Sequence, residues 1–240
     1  MKETDASGEE MKAAAPPAGV PGRQVACRHD GAGSDRLRYL LFLPARYEKE
    51  TAGWPLMVFL HGAGERGDDL NLVKKYGPPM IVEDAPDFPF VVVSPQCPAD
   101  RHWDPRQVIA LVEDVVANHR IDRQRIVLTG VSLGGFGTWM TAAAYPRRFA
   151  ALAPVCGWGD PALAVRLRDV PVWIFHGEDD DVVPIGRSCE MRDALLAAGG
   201  DVRFTSFPGV GHDAWTEAYA TPALYAWLMQ CRASGDPSPN

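Results

Sequence analysis

Ser132 lies in Thr129-Gly130-Val131-Ser132-Leu133-Gly134-Gly135, a Gly-x-Ser-x-Gly pentapeptide with an apolar run just before it (residues 126–128) and a helical pattern after it (133–145). Strand, sharp turn and helix in that order lift a serine hydroxyl clear of a sheet at a helix N-terminus, and small residues at Gly130 and Gly134 let the backbone turn. A bare Gly-x-Ser-x-Gly arises by chance in a chain rich in glycine. A serine capping an ordinary strand-to-helix turn, however, explains Ser132 without explaining both glycines. A serine hydroxyl is a weak nucleophile at neutral pH and needs an adjacent base, itself oriented by a carboxylate. Downstream, the apolar run 172–175 ends in His176-Gly177-Glu178-Asp179-Asp180-Asp181, and His212 in Pro208-Gly209-Val210-Gly211-His212-Asp213 is the one histidine beyond that acidic run. The order serine, acid, histidine suits this arrangement. Taken singly, an acidic run is a solvated loop and a loop histidine is plain surface. Jointly they fall at successive strand ends, where a base and its carboxylate are required.

Acyl transfer also needs two backbone N–H donors for a tetrahedral oxyanion, one just after the nucleophile and one from the turn after an earlier strand. Leu133 supplies the first by position. The second is expected from His61-Gly62-Ala63-Gly64, after the apolar run 56–60, at the N–H of Ala63. The candidate set is therefore Ser132, Asp180 and His212 as catalytic residues, with Ala63 and Leu133 as oxyanion donors. His29, His102 and His119 read as surface residues, His61 and His176 as braces of strand-end turns. Trp103, Trp158 and Trp215 lie near strand ends and suit either a pocket for an acyl group or sugar ring, or the core. Glu65 and Arg66 are rim candidates with no assigned role.

These residues need a scaffold that brings strand ends together. Continuous apolar runs occur at 56–60, 90–93, 126–128, 150–155, 172–175 and, less sharply, 202–207, the texture of parallel strands buried on both faces. Helical patterns lie at 107–119 (Val108, Leu111, Val112, Val115, Val116), 133–145 and 185–198. Strands alternating with helices imply right-handed crossovers in an α/β layered sheet, whose ligands sit at the carboxyl ends of the strands. Runs 23–29 and 37–43 flank turn chemistry at 30–35 and read as an antiparallel hairpin. Residues 1–22 read as a flexible leader, 23–232 as a single catalytic domain and 233–240 as a flexible tail.

At 240 residues the chain suits one large domain better than two small ones. A net charge of −7 has the wrong sign for neutralising phosphates, so nucleic acid is an unsuitable partner. Gly 23 and Pro 21 stay below the level of low-complexity disorder, and no apolar stretch approaches the length of a membrane span. Five scattered cysteines without a Cys-x-x-Cys pair suggest reduced thiols, neither a zinc site nor a disulfide framework. No signal-peptide core is visible in 1–22, which points to a cytoplasmic protein.

FLHGAGERGDD (59–69), SPQCP (94–98), TGVSLGGFGTW (129–139), FHGEDDDVVP (175–184) and PGVGHDAW (208–215) together resemble the α/β-hydrolase superfamily. Within it, the chain is similar to small bacterial esterases grouped with phospholipase/carboxylesterases, dienelactone-hydrolase-like proteins and predicted peptidases of the prolyl oligopeptidase type. The resemblance implies a mostly parallel central sheet with helices on both faces, to which the chain adds the N-terminal antiparallel hairpin; larger members insert a lid between the later strands, and the short stretch 157–170 implies no lid domain here. It puts the nucleophile at Ser132, the base at His212 and the acid at Asp180, with Asp179 and Asp181 as alternatives one residue away. Serine at 132 argues against enol-lactone chemistry, which uses cysteine there, and against dehalogenases and epoxide hydrolases, which use aspartate. The implied activity is hydrolysis of small or short-chain carboxylic esters, with a small-molecule or acylated-sugar ester as substrate and no metal or organic cofactor. The alternatives are a serine peptidase or amidase, and a non-catalytic binding protein on the same fold.

Overall fold

The computed structural model describes residues 19–30 and 36–233. Eight strands, β1 (Gln24–Asp30), β2 (Arg36–Phe42), β3 (Trp54–Leu60), β4 (Val91–Gln96), β5 (Ile121–Val131), β6 (Ala151–Val155), β7 (Val172–Gly177) and β8 (Val202–Phe207), form one sheet. Their spatial order is β1-β2-β4-β3-β5-β6-β7-β8. β1 pairs antiparallel with β2, as does β2 with β4, and every pairing from β4 to β8 is parallel. The turn chemistry at 31–35, residues 1–18 of the leader and the tail beyond Ala233 lie outside the described residues. Among the described residues six α-helices accompany the strands: α1 (Pro78–Asp84), α2 (Pro105–Asn118), α3 (Leu133–Ala144), α4 (Gly186–Ala197), α5 (Trp215–Tyr219) and α6 (Pro222–Gln230).

Because side chains alternate across a strand, β3 feeds two cores. Leu56, Val58 and Leu60 join the layer under α2, α3 and α4, which contribute Val108, Leu111, Val112, Leu133, Met191 and Leu195. Met57 and Phe59 face the other layer, where Val82 of α1 and Tyr219, Leu224, Trp227 and Leu228 of α5 and α6 pack. α2 shows the local logic. Asp104 caps it by accepting the N–H of Arg106 at 2.9 Å, Pro105 needs no partner at the first position, and the apolar stripe Val108, Leu111, Val112, Val115, Val116 is buried. Burying each such side chain contributes roughly 1.5–3 kcal/mol before entropy is counted.

β3 lies where the strand order reverses: the chain leaves it toward β4 on one side and returns through β5 on the other. The turns after β3 and β5 therefore face each other across a crevice at the carboxyl edge. Register puts further strand ends at the same height, with Leu60 opposite Gly130, Val131 opposite Val155 and Gly177 opposite Phe207. The link from β6 to β7 carries only a 3-10 segment, Pro161–Leu167, packed beside α4. No described helix is long and apolar enough to cross a membrane.

Candidate active site

Ser132 sits between β5 and α3 with φ 52° and ψ −114°, a conformation that costs a non-glycine residue on the order of 1–3 kcal/mol. The turn is held by its N–H donating to Val155 O at 3.0 Å. It is possible only because α3 runs tight against β3: a Cβ at Gly134 would collide with the Leu60 carbonyl. The serine Oγ is 2.8 Å from His212 Nε2, and His212 Nδ1 is 2.8 Å from Asp180 Oδ2.

His212 reaches the serine because the loops after β7 and β8 are stitched together. Glu178 N–H donates to Phe207 O and Asp179 N–H to Val210 O, each at 3.0 Å. Gly177 permits this approach, since a Cβ there would strike the carbonyls of Val210 and Gly211. The Trp215 ring stands edge-on to His212, with centroids 5.5 Å apart.

Of the three neighbouring aspartates, Asp180 is buried against His212 and Asp179 and Asp181 are exposed. Asp180 Oδ1 accepts the N–H groups of Val182 (2.9 Å) and Val183 (2.8 Å), and Oδ2 also lies 3.1 Å from His176 Nε2. Burial alone would raise its pKa. The bonds from His212, Val183 and Val182 outweigh that and hold it below the usual carboxylate range. His176 braces the turn as expected from its position, and it also contacts the carboxylate. Its Nε2–H points at Val183 O (2.8 Å) and Asp180, its Nδ1 lies 2.7 Å from the Ser188 hydroxyl, and burial lowers its pKa so the ring stays neutral.

His61 is likewise buried and neutral, pushed down to about 4 by desolvation. Its Nδ1–H donates to Gly62 O at 2.6 Å and its Nε2 accepts Cys97 N–H at 2.9 Å, tying the turn after β3 to the end of β4. Glu65 sits beneath that turn and not on a rim. Its carboxylate faces the Gly62 N–H in a capping-box arrangement, and burial raises its pKa. Ala63 and Leu133 both border the cavity in front of Ser132, which encloses about 640 Å³.

The three tryptophans diverge. Trp158 lines the cavity and stacks on Phe136, with centroids 5.0 Å apart and planes 22° from parallel. Trp103 belongs to the core, its indole N–H donating to His61 O at 3.2 Å. Trp215 backs His212. His102 is exposed, as read from the chain, and stands at the border of the cleft. Cys156 Sγ converges with Asp180 and His212 to within 4.8 Å, a grouping that could hold a cation. Both His212 nitrogens are already engaged, however, and burial drives the Cys156 thiol pKa far up, so the metal-ready thiolate is disfavoured.

The sequence profile of the phospholipase/carboxylesterase family matches residues 88–221. An acyl-protein thioesterase 1 from Gibberella zeae is 30% identical over 102 residues, covering 39% of this chain and 43% of that protein. A poly(3-hydroxyoctanoate) depolymerase from Pseudomonas fluorescens is 27% identical over 212 residues, 74% of each chain. A solved thermostable esterase superposes with a TM-score of 0.77 at 31% identity, covering 87% of this chain and 63% of its own. The chain thus spans less than half of the thioesterase and under two thirds of the esterase. With the profile running through β5, α3, β7 and β8, over more than half of its residues, the chain belongs to the phospholipase/carboxylesterase family on the α/β-hydrolase fold.

Proposed function

We propose that this protein hydrolyses carboxylic esters of small or short-chain acyl groups through an acyl-enzyme on Ser132. The carrying observation is the unbroken hydrogen-bonded series from Asp180 through His212 to Ser132, each step 2.8 Å. The relatives named for esterase, thioesterase and depolymerase activity support the same class of reaction.

With Asp180 ionised, His212 carries its proton on Nδ1 and offers the Nε2 lone pair to the Ser132 hydroxyl. The serine oxygen attacks the ester carbonyl as Nε2 takes its proton, and the Asp180 charge stabilises the resulting imidazolium. The N–H groups of Ala63 and Leu133 receive the oxyanion in a turn held rigid by His61, Glu65 and Gly134. Nε2–H then protonates the departing alcohol, and water, activated by the same imidazole, releases the acid. The chemistry uses these side chains and main-chain dipoles alone. Residues 23–232 form the catalytic unit in this reading. The cleft is open where Val182 stands 64% exposed, which favours small acyl groups over long chains.

A fluorophosphonate probe tests the nucleophile. Intact-mass analysis should show one adduct on the wild type and none on Ser132→Ala, and undiminished labelling of the alanine variant would defeat the assignment. Peptide anilides should be cleaved poorly; rapid anilide cleavage with weak esterase activity would move the reading to a peptidase.

A further inference from the structure

We infer that the cleft in front of Ser132 selects esters that carry a carboxylate, held by Arg66 and Arg187. This rests on the ester hydrolase reading and deepens it. The chain has 31 acidic residues against 24 basic ones, so its charge is acidic on average. The cleft departs from that balance: its walls hold Arg66 from the turn after β3 and Arg187 from the first turn of α4, with His102 at the edge and no carboxylate among the described residues that line it.

Arg66 is fixed in place without being neutralised. Its Nε donates to Ala63 O at 3.0 Å and its Nη1 to Arg101 O at 3.2 Å, both backbone carbonyls, and the neighbouring Glu65 carboxylate turns instead to the Gly62 N–H. The guanidinium therefore keeps N–H donors and full charge at the cleft wall, in the planar geometry that matches a carboxylate. Arg187 has one exposed contact, to Glu190 at 3.3 Å, of a kind that contributes little and yields to a better-placed anion. Trp158, backed by Phe136, supplies an apolar wall for the body of the substrate. A cavity of about 640 Å³ holds an ester together with a carboxylate arm.

The test compares two matched pairs. 4-Acetoxybenzoate against its methyl ester puts the charge on the alcohol side, and monomethyl glutarate against methyl pentanoate puts it on the acyl side. The ratio of kcat/KM, anionic over neutral, should fall at least tenfold, about 1.4 kcal/mol, from wild type to Arg66→Gln/Arg187→Gln in one pair. General damage from the substitutions cancels in that ratio, and Arg187→Gln alone should show part of the fall without touching the turn after β3. A ratio that changes less than tenfold in both pairs overturns the inference. Calorimetry on Ser132→Ala separates it from the parent reading: in at least one of the two pairs the anionic ester should bind at least tenfold tighter than its neutral partner, and equal binding in both pairs overturns the subsite whatever the turnover. Undiminished turnover by Ser132→Ala would instead defeat the serine mechanism, and the binding ratio alone would then decide whether the arginines hold a carboxylate.

Discussion

Replacing Asp180 by asparagine should disable the base while leaving the fold in place. The two backbone N–H groups of Val182 and Val183 point at Oδ1, at 2.9 and 2.8 Å, so the amide oxygen of the introduced asparagine will settle there. Its NH2 then occupies the Oδ2 position, facing His212 Nδ1 and His176 Nε2. A donor in that place forces Nδ1 to become the acceptor. The ring proton moves to Nε2, which now points an N–H at Ser132 Oγ across 2.8 Å and cannot accept the hydroxyl proton. A triad trapped in the wrong tautomer loses about 10⁴ in kcat, or about 5 kcal/mol at 1.36 kcal/mol per tenfold. His176 keeps Val183 O as an acceptor at 2.8 Å, so the melting temperature should change little.

The assay is kcat on p-nitrophenyl acetate for Asp180→Asn, Asp179→Asn and Asp181→Asn, each with its melting curve. The flanking aspartates are exposed and the His212 contact is made by Asp180, so their kcat should stay within about threefold and their stability within about 0.5 kcal/mol. If Asp180→Asn keeps more than a tenth of wild-type kcat, or either neighbour loses more than Asp180→Asn does, Asp180 does not set the tautomer of His212.

Stability should fall in mild acid. The unfolded chain protonates His61 near 6.5 and the folded one near 4, so stability is full above the first value and declines as pH drops toward the second, by up to about 3 kcal/mol. His176, also lowered by burial, acts in the same direction. Urea unfolding between these two pH values checks this, and a flat profile refutes it. On p-nitrophenyl esters, kcat/KM should peak at acetate to butyrate and drop at least about tenfold by octanoate, because each CH2 contributes its ~0.8 kcal/mol only when removed from water; a steady rise to dodecanoate would reveal a deep acyl tunnel. Deleting residues 1–18 should shift the melting temperature by less than about 5 °C. The deletion must stop there, since Pro21 bridges to Leu43 and Gly22 N–H donates to Leu43 O at 2.7 Å.

Each apolar run read from the chain overlaps a strand, but the runs do not mark where the strands end. β5 begins at Ile121, five residues before its apolar run, because the polar Asp122-Arg123-Gln124-Arg125 hides its start, which pairs with Trp54 across an irregularity in register. α1 opens on Pro78-Pro79 after Gly77 at φ 66° and is too short to show a period. α5 is five residues inside the loop after His212. α6 did leave a readable sign, with Pro222 at its first position and Leu224, Trp227 and Leu228 at i, i+3 and i+4. The insertion of β4 between β2 and β3 has no local signature, since it depends on which way the crossovers turn.

The placing together of the candidate residues was legible for a related physical reason. Parallel register puts Leu60, Gly130, Val155 and Gly177 in neighbouring rungs, so whatever follows those strands emerges into one crevice whatever the loop composition. A residue just past a strand end is thereby located almost as well as one inside it, and Ala63, Ser132, Asp180 and His212 all stand in such places. The choice among Asp179, Asp180 and Asp181 was not legible, because it turns on which carboxylate the Val182 and Val183 N–H groups draw inward. Glu65 hid for the same reason: in the chain it is one more polar residue of a loop, and only the folding back of its side chain to Gly62 puts it under the turn that carries Ala63. Trp103 and Trp158, alike in the chain, parted because Gly137 leaves room for one indole against α3, whereas the other is propped outward by Phe136. Walls are set by how helices tilt against the sheet, and that tilt is a property of the assembled core.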